Sequence, residues 1–148
     1  MSSSYLPDGL PAPLDDEGVN APYWNGLLEG VLRVQRCASC STWQFGGEHL
    51  CHHCHVWDPP WVAVEARGRI YSWERVWHPA HPAHPALKAH GAYLAVLVEL
   101  PHAGNLRMLG NLLGDALQTV VVGAEVEGVF EHHPHNDRPY SLLQWQLR

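Results

Sequence analysis

From Gly68 onward the chain alternates between apolar and polar positions, the two-residue period of strands with one buried face. In RIYSWERVWH the alternation places Tyr71, Trp73 and Trp77 on one face and Ile70 and Val76 on the other. AYLAVLVEL and LRMLGNLL read as a second and a third strand. AEVEGVFE is a fourth, with Val126 and Phe130 facing in and Glu125, Glu127 and Glu131 facing out. YSLLQWQLR is the fifth, with Leu143, Trp145 and Leu147 on one face and Trp145 as core filler. Five short strands with Gly-rich turns predict a small closed barrel of the OB type over residues 67–148. An OB barrel often carries a helix between its third and fourth strands. Only GDALQTVVVG is available here, so that helix is short or missing.

The N-terminal half follows other rules. NAPYWNGLLEG reads as a short helix, with Asn20 as its cap, Pro22 in its first turn and Gly30 at its end. VLRVQR, residues 31–36, is a strand that runs into a cysteine-rich window, and VWDPPWVAVEA leaves that window with a turn at Pro59-Pro60. Residues 20–66 are therefore read as a helix plus a metal ribbon. Residues 1–19 read as a flexible Pro- and Asp-rich tail that orders only against another surface. The fold class expected is mainly β.

All four cysteines fall in CASCSTWQFGGEHLCHHC. Cys37 and Cys40 form one CxxC pair, Cys51 and Cys54 the second. Two tight knuckles joined by a short hairpin aim four sulfurs at one ion, which is how a tetrahedral thiolate site is assembled. Flanking strands of about five residues bury too little to fold alone, so the metal supplies stability. Two disulfides are the competing reading, but they need an oxidising compartment that no secretory signal supports. A redox CxxC needs a βαβ context that is absent. Zinc is favoured over iron, although four thiolates suit either. A closed four-thiolate site leaves no position for water, so the metal is structural. His49, His52, His53 and His55 are read as solvated loop residues, not ligands.

The formal net charge is −6, and the nine Lys and Arg residues are scattered. That lowers the case for nucleic acid, which calls for a cationic stripe. No apolar run approaches the roughly 20 residues of a membrane span, and the N-terminus has no signal-peptide pattern. A cytoplasmic protein is expected. In HPAHPAHPALKAHG each proline biases the preceding histidine toward extended or polyproline geometry. His78, His81 and His84 would then share one face about 9 Å apart. That is too far to share an ion whose nitrogens sit at about 2.0–2.1 Å. The tract reads as a stiff loop that presents a surface at little entropic cost.

The order PYW, LRVQRCASC, a second CxxC, ARGRIYSWERV, AYLAVLVEL, LLGNLLG and VGAEVEGVFE resembles one family over about residues 20–132. This is the acyl-CoA-associated family that joins a rubredoxin-like zinc ribbon to a C-terminal OB-fold. The resemblance implies zinc on Cys37, Cys40, Cys51 and Cys54. It also implies a small accessory subunit without chemistry of its own, assembled with a thiolase-superfamily enzyme. Such complexes run thiolase, acyltransferase or retro-aldol reactions on CoA thioesters. Some members pair instead with hot-dog-fold enoyl-CoA hydratases, notably in steroid side-chain degradation. The chain departs from the family at Ser41 and His55, where knuckles usually carry Gly, and at His52, which replaces a proline.

No nucleophile elbow, phosphate-cradling glycine loop or paired-His helix motif occurs in the sequence. A catalytic reading would have to use His78, His90 or Glu99, none with a recognisable triad partner. Seven tryptophans in a chain of this length point toward a binding surface. The leading expectation is therefore an accessory subunit in a hetero-oligomer. Its helix and ribbon would dock the partner through Tyr23, Trp24 and Trp43, and its barrel would flank the acyl-CoA entrance, with the His-Pro loop near the acyl or pantetheine part. Arg67, Arg69 and Lys88 would meet the CoA phosphates. A single-stranded nucleic-acid binder is the alternative, with Tyr71, Trp73 and Trp77 as a stacking platform. An iron-loaded electron carrier is a third reading, and it would make the protein red.

Overall fold

The computed structural model describes residues 4–13, 18–78 and 85–148. His81 and His84 lie outside the described residues, as does the polyproline geometry read for their tract. Among these residues one α-helix, α1 (Ala21–Leu28), precedes eight strands: β1 (Leu32–Arg36), β2 (Trp43–Gln44), β3 (Trp61–Val64), β4 (Arg67–Val76), β5 (Tyr93–Leu100), β6 (Leu106–Asn111), β7 (Glu125–His133) and β8 (Tyr140–Leu147). Among the described residues no helix is long and apolar enough to cross a membrane.

The helix ends as its sequence dictates. Gly30 takes φ +73°, its N–H reaches Leu27 O, and the Val31 N–H reaches Gly26 O, which is a Schellman closure. Its start differs from expectation. The Asn20 side chain makes no capping hydrogen bond and instead accepts the Gly47 N–H at 2.5 Å. The residue that was to cap the helix ties it to the ribbon.

The strands form two antiparallel sheets, ordered β2-β1-β3 and β6-β5-β4-β7-β8. In the larger sheet the first strand pairs with the second and the fourth. The third and fifth approach through a parallel bridge between Leu112 and Trp145 and a Leu113 N–H to Trp145 O bond of 2.7 Å. This is the OB-type order, nearly closed into a barrel. Its interior is the β5 series Leu94, Val96, Val98 and Leu100, with Val126, Met108 and Trp145, all essentially inaccessible. Leu27 of α1 and Leu32 and Val34 of β1 belong to the same apolar cluster, so ribbon and barrel share one core.

The alternation expected for β4 does not survive. Ile70 pairs with Val98, but Ser72 pairs with Leu97 and Trp73 with Val96, so Tyr71 is the extra residue of a β-bulge. The bulge resets the period and puts Ile70 and Trp73 on the same, inward side. Tyr71 stays exposed beneath the Arg107 guanidinium, 3.6 Å from its ring centre. Tyr71, Trp73 and Trp77 therefore form no common stacking platform. On β7, Glu131 does face out of the barrel, paired with Leu142, yet it is buried. Residues 5–10 of the segment expected as a tail lie over it. The Tyr5 and Leu6 N–H groups donate to the Glu131 carboxylate at 3.2 and 2.9 Å.

Among the described residues no helix lies between β6 and β7. Turns at 115–118 and 121–124 replace it. Arg75, on the inward register of β4 opposite Leu94, fixes that connection by donating to Ala116 O at 2.7 Å and Gln118 O at 2.8 Å. Its guanidinium also lies over the Trp73 ring at 5.3 Å. Hydrogen bonds from a charged donor contribute about 1.5–3 kcal/mol. Arg75→Ala is thus expected to lower barrel stability by about 1–3 kcal/mol, measured by denaturant unfolding at unchanged m-value. A loss near zero would show that the β6–β7 connection holds itself.

Candidate metal centre

The four cysteines sit on two knuckles of the same design. In the first, the Ser41 N–H donates to Cys37 O and the Cys37 N–H to Thr42 O, both at 2.9 Å. In the second, the His55 N–H donates to Cys51 O and the Cys51 N–H to Val56 O, again both at 2.9 Å. Each turn swings its backbone through the left-handed region at the residue after the second cysteine, Ser41 at φ +62° and His55 at φ +61°. These are the two places where a glycine would be at ease and this chain has a side chain.

The geometry fits a tetrahedral ion. All four Sγ atoms lie within 4.8 Å of one another, with Cys37–Cys54 at 3.5 Å and Cys40–Cys51 at 3.6 Å. A tetrahedron with zinc–sulfur arms of about 2.3 Å has edges of about 3.8 Å. Without a cation the sulfurs cannot all ionise. The Thr42 side chain and backbone draw the Cys40 thiol down to about 5. At Cys54 the Val56 N–H also pulls downward, but desolvation and the other three sulfurs push the thiol up to about 11. Zinc resolves that conflict by neutralising the thiolates together. Among the described residues no histidine joins the cluster.

Two buried glutamines frame the centre, and the sequence reading passed over them. Gln44 Nε2 donates to Gln35 Oε1 at 3.0 Å and to Leu50 O at 3.1 Å. Gln35 Nε2 donates to Glu48 O at 3.0 Å and Pro59 O at 3.2 Å, and its Oε1 accepts the Glu48 N–H. Gln44 Oε1 accepts the His52 N–H at 3.2 Å. Together they fasten the 45–50 loop and the second knuckle to β1 and β2. The available signal was a glutamine in the otherwise apolar or cationic run VLRVQR, beside the first knuckle.

The aromatic residues nominated for partner contact are largely engaged inside the chain. Tyr23 and Trp24 are half-buried against the shared core, edge to face at 5.0 Å, and burial pushes the Tyr23 hydroxyl up to about 12. Trp43 lies beneath Arg36 at 4.8 Å and rests on Gly104, where an added Cβ would come within 2.5 Å of its ring. The exposed apolar surface of the ribbon belongs instead to Phe45, Leu50, Val56 and Trp57, with Trp57 68 % exposed.

Arg67, Arg69 and Lys88 do not come together. Arg67 pairs with Glu65, and Arg69 donates to Glu99 Oε1 from Nε and Nη2 at 3.1 and 2.6 Å. Both line a groove of about 320 Å³ that includes His102, Glu125 and Arg148. Lys88 lies in the β4–β5 connection, at the other end of β4. Glu99 also pairs with Arg107 at 3.2 Å. The Arg69 hydrogen bonds first, then Arg107, hold its carboxyl below the ordinary value of about 4.5 against the opposing effect of desolvation. Glu99 is thus an ion-pair partner on the barrel exterior. It lies roughly 20 Å along β5 from Tyr93, whereas His78 and His90 fall in the β4–β5 connection, and His90 donates to Tyr5 O at 2.9 Å.

Two family models cover most of the chain: the ChsH2 rubredoxin-like zinc ribbon domain over residues 24–57 and the ChsH2 C-terminal OB-fold domain over residues 61–131. The chain belongs to the ChsH2 zinc-ribbon and OB-fold family. Among solved structures, this ChsH2-family chain matches one described as the Ltp2-ChsH2(DUF35) aldolase with a TM-score of 0.71 and 28 % identity, covering 93 % of this chain and 98 % of that one. A DUF35-family protein of unknown function from Sulfolobus solfataricus shares the fold at a TM-score of 0.61 and 16 % identity, over 89 % of this chain and 87 % of that one. A curated relative, the probable enoyl-CoA hydratase alpha subunit of Thermomonospora curvata, is 34 % identical over 109 residues, 72 % of this chain. The chain spans 31 % of that relative's length.

The strained knuckles make a direct prediction. A residue in the left-handed region carries a penalty of about 1–2 kcal/mol, partly offset in a glycine variant by a freer unfolded chain. Ser41→Gly and His55→Gly are each expected to stabilise the zinc-loaded protein by about 0.5–1 kcal/mol, read as a higher Tm. Lower Tm in both would mean that the two side chains contribute contacts exceeding the strain. The Glu99 ion pairs predict a pH effect. Because the folded carboxyl titrates below its unfolded value, its stabilisation is complete at neutral pH. It is lost as pH falls below about 4.5 toward the lowered value. Glu99→Gln should be less stable than the parent at neutral pH, with the difference shrinking in acid. A pH-independent difference would remove the ion-pair explanation.

Proposed function

We propose that this chain is a non-catalytic accessory subunit of an acyl-CoA-processing complex built around a thiolase-superfamily enzyme that cleaves a carbon–carbon bond of a CoA thioester by retro-aldol or thiolytic chemistry. The observation that carries this reading is the end-to-end likeness to a chain of the Ltp2-ChsH2(DUF35) aldolase, which leaves little of either chain unmatched. The site chemistry supports it. Among the described residues the cluster of soft ligands is the closed four-cysteine centre, and Glu99 is held by two arginines. In this role Cys37, Cys40, Cys51 and Cys54 hold zinc as a staple, and the chain contributes shape and surface to its partner. The exposed ribbon face around Trp57 suits protein contact, since tryptophan is a frequent interface anchor. Arg67 and Arg69, which line one groove, are the cations offered to CoA phosphates, while Lys88 stands apart in the β4–β5 connection.

A second reading has its own support. The Thermomonospora curvata relative is described as a probable enoyl-CoA hydratase alpha subunit. A hot-dog-fold hydratase partner would keep the acyl-CoA role and change the reaction. Affinity purification of the tagged, zinc-loaded chain from its own host, followed by mass spectrometry, separates these outcomes. A stoichiometric thiolase-like chain that is lost on Cys51→Ser is the expected result. A hydratase chain would select the second reading. Bound nucleic acid, or no partner at all, would overturn both.

A further inference from the structure

His133, on the outer face of β7, is fully buried and stacked on Tyr140 at 4.8 Å. Both of its ring nitrogens face carboxylate oxygens: Nδ1 is 2.9 Å from Asp8 Oδ1 and Nε2 is 2.8 Å from Glu131 Oε1. The Glu131 carboxylate also accepts the Tyr5 and Leu6 N–H groups and, at 3.4 Å, Gln144 Nε2. An ionised carboxylate only accepts, so both ring nitrogens must donate for both contacts to hold. A neutral imidazole has one N–H to give, whereas the imidazolium has two. The chain running from Tyr5 to Leu10 is fastened at two further points. His90 donates to Tyr5 O, and Asn136 both accepts the Gly9 N–H and donates to Leu10 O. This segment therefore ties the end of the β4–β5 connection to β7 and to the β7–β8 turn. Ser4 and Tyr5 also wall a cavity of about 640 Å³ beside His90, Leu113, Phe130 and His132.

We propose that residues 5–10 form a strap that closes over this cavity and is latched when His133 carries both ring protons between Asp8 and Glu131. No strap residue is fully buried, so the closed state rests on polar bonds more than on apolar burial. That places it at the low-stability end of the molecule. Opening would admit water to Glu131 and His133, leaving neither stranded in an apolar setting. The other groups around the latch can be named. On the strap and on β8, burial and then Glu131 raise the hydroxyls of Tyr5 and Tyr140, which therefore stay neutral. His135, Asp137 and Arg138 of the β7–β8 turn line the groove that Asp8 borders. Raising the pH removes one donor from His133, so one carboxylate contact is lost and the strap loosens.

Hydrogen–deuterium exchange of the Tyr5 and Leu6 amides in the full zinc-loaded chain tests this, with rates corrected for the intrinsic pH dependence of exchange. Protection is expected to fall about tenfold from mildly acidic to alkaline pH, the effect of losing one hydrogen bond to a charged group. Asp8→Asn, at a position 60 % exposed, should fold normally and show weaker protection with a flattened pH dependence. His133→Gln should do the same wherever near-ultraviolet circular dichroism shows an intact barrel. Protection that stays constant over that pH range in the parent, or an Asp8→Asn strap as protected as the parent's, would overturn the latch. Neither result depends on which enzyme the chain accompanies.

Discussion

Four sulfurs held within 4.8 Å of one another are the constraint on which the rest of the chain depends. Their thiolates cannot coexist without a cation, and the ribbon around them has strands of five, two and four residues. So little sheet cannot bury a core of its own, and folding must be coupled to the ion. The consequence reaches past the ribbon. Once the knuckles close, β1 is fixed between β2 and β3, and its residues Leu32 and Val34 are delivered to the cluster that also holds Leu27 and the barrel interior. The metal therefore organises one face of a core whose other face the barrel supplies. Loss of zinc should be felt in the barrel as well as in the ribbon.

The barrel solves a different problem, closing a five-stranded sheet without the helix that often covers one end. One local irregularity and one side chain do this. The bulge at Tyr71 bends β4 so that its first part pairs with β7 while its later part continues along β5. The same bulge turns Trp73 and Arg75 inward. Arg75 then reaches the carbonyls of Ala116 and Gln118, where a helix would have met its own backbone needs. One charged side chain with several donors in a fixed fork can hold two carbonyls at once, which a lysine at this position could not do in the same geometry.

Legibility in the sequence tracks how local the deciding interaction is. The knuckles, the Gly30 helix stop and the existence of the five barrel strands depend on neighbours within a few positions, and they were readable. The resemblance of the motif order to a zinc-ribbon and OB-fold family held across both halves of the chain. What failed depended on partners far away in the chain. The bulge at Tyr71 put Ile70 on the face of Trp73, because alternation cannot register an inserted residue without the partner strand. Asn20 has the composition of a cap, but Gly47 competes for its oxygen. Glu131 points out of the barrel as its spacing says, yet a segment more than a hundred residues earlier covers it. Lys88 shares its charge with Arg67 and Arg69, but it lies in the β4–β5 connection while they begin β4.

These distant contacts also redistribute what the surface can do. Tyr23, Trp24 and Trp43 looked like partner anchors because they are large and flank the ribbon, but their rings form the joint between ribbon, helix and barrel. Truncating any of them would loosen the zinc staple's connection to the core, so lost assembly in such variants would report folding before contact. Trp57 differs. It is bridged to Leu50 across the second knuckle, most of its ring is exposed, and it lies beside the His49 ring. A side chain that the fold itself hardly uses, held on a metal-rigidified turn, loses little conformational freedom when a partner covers it. The same physics that makes the ribbon depend on its ion thus gives it a stiff apolar tip, the surface on which the proposed docking would rest.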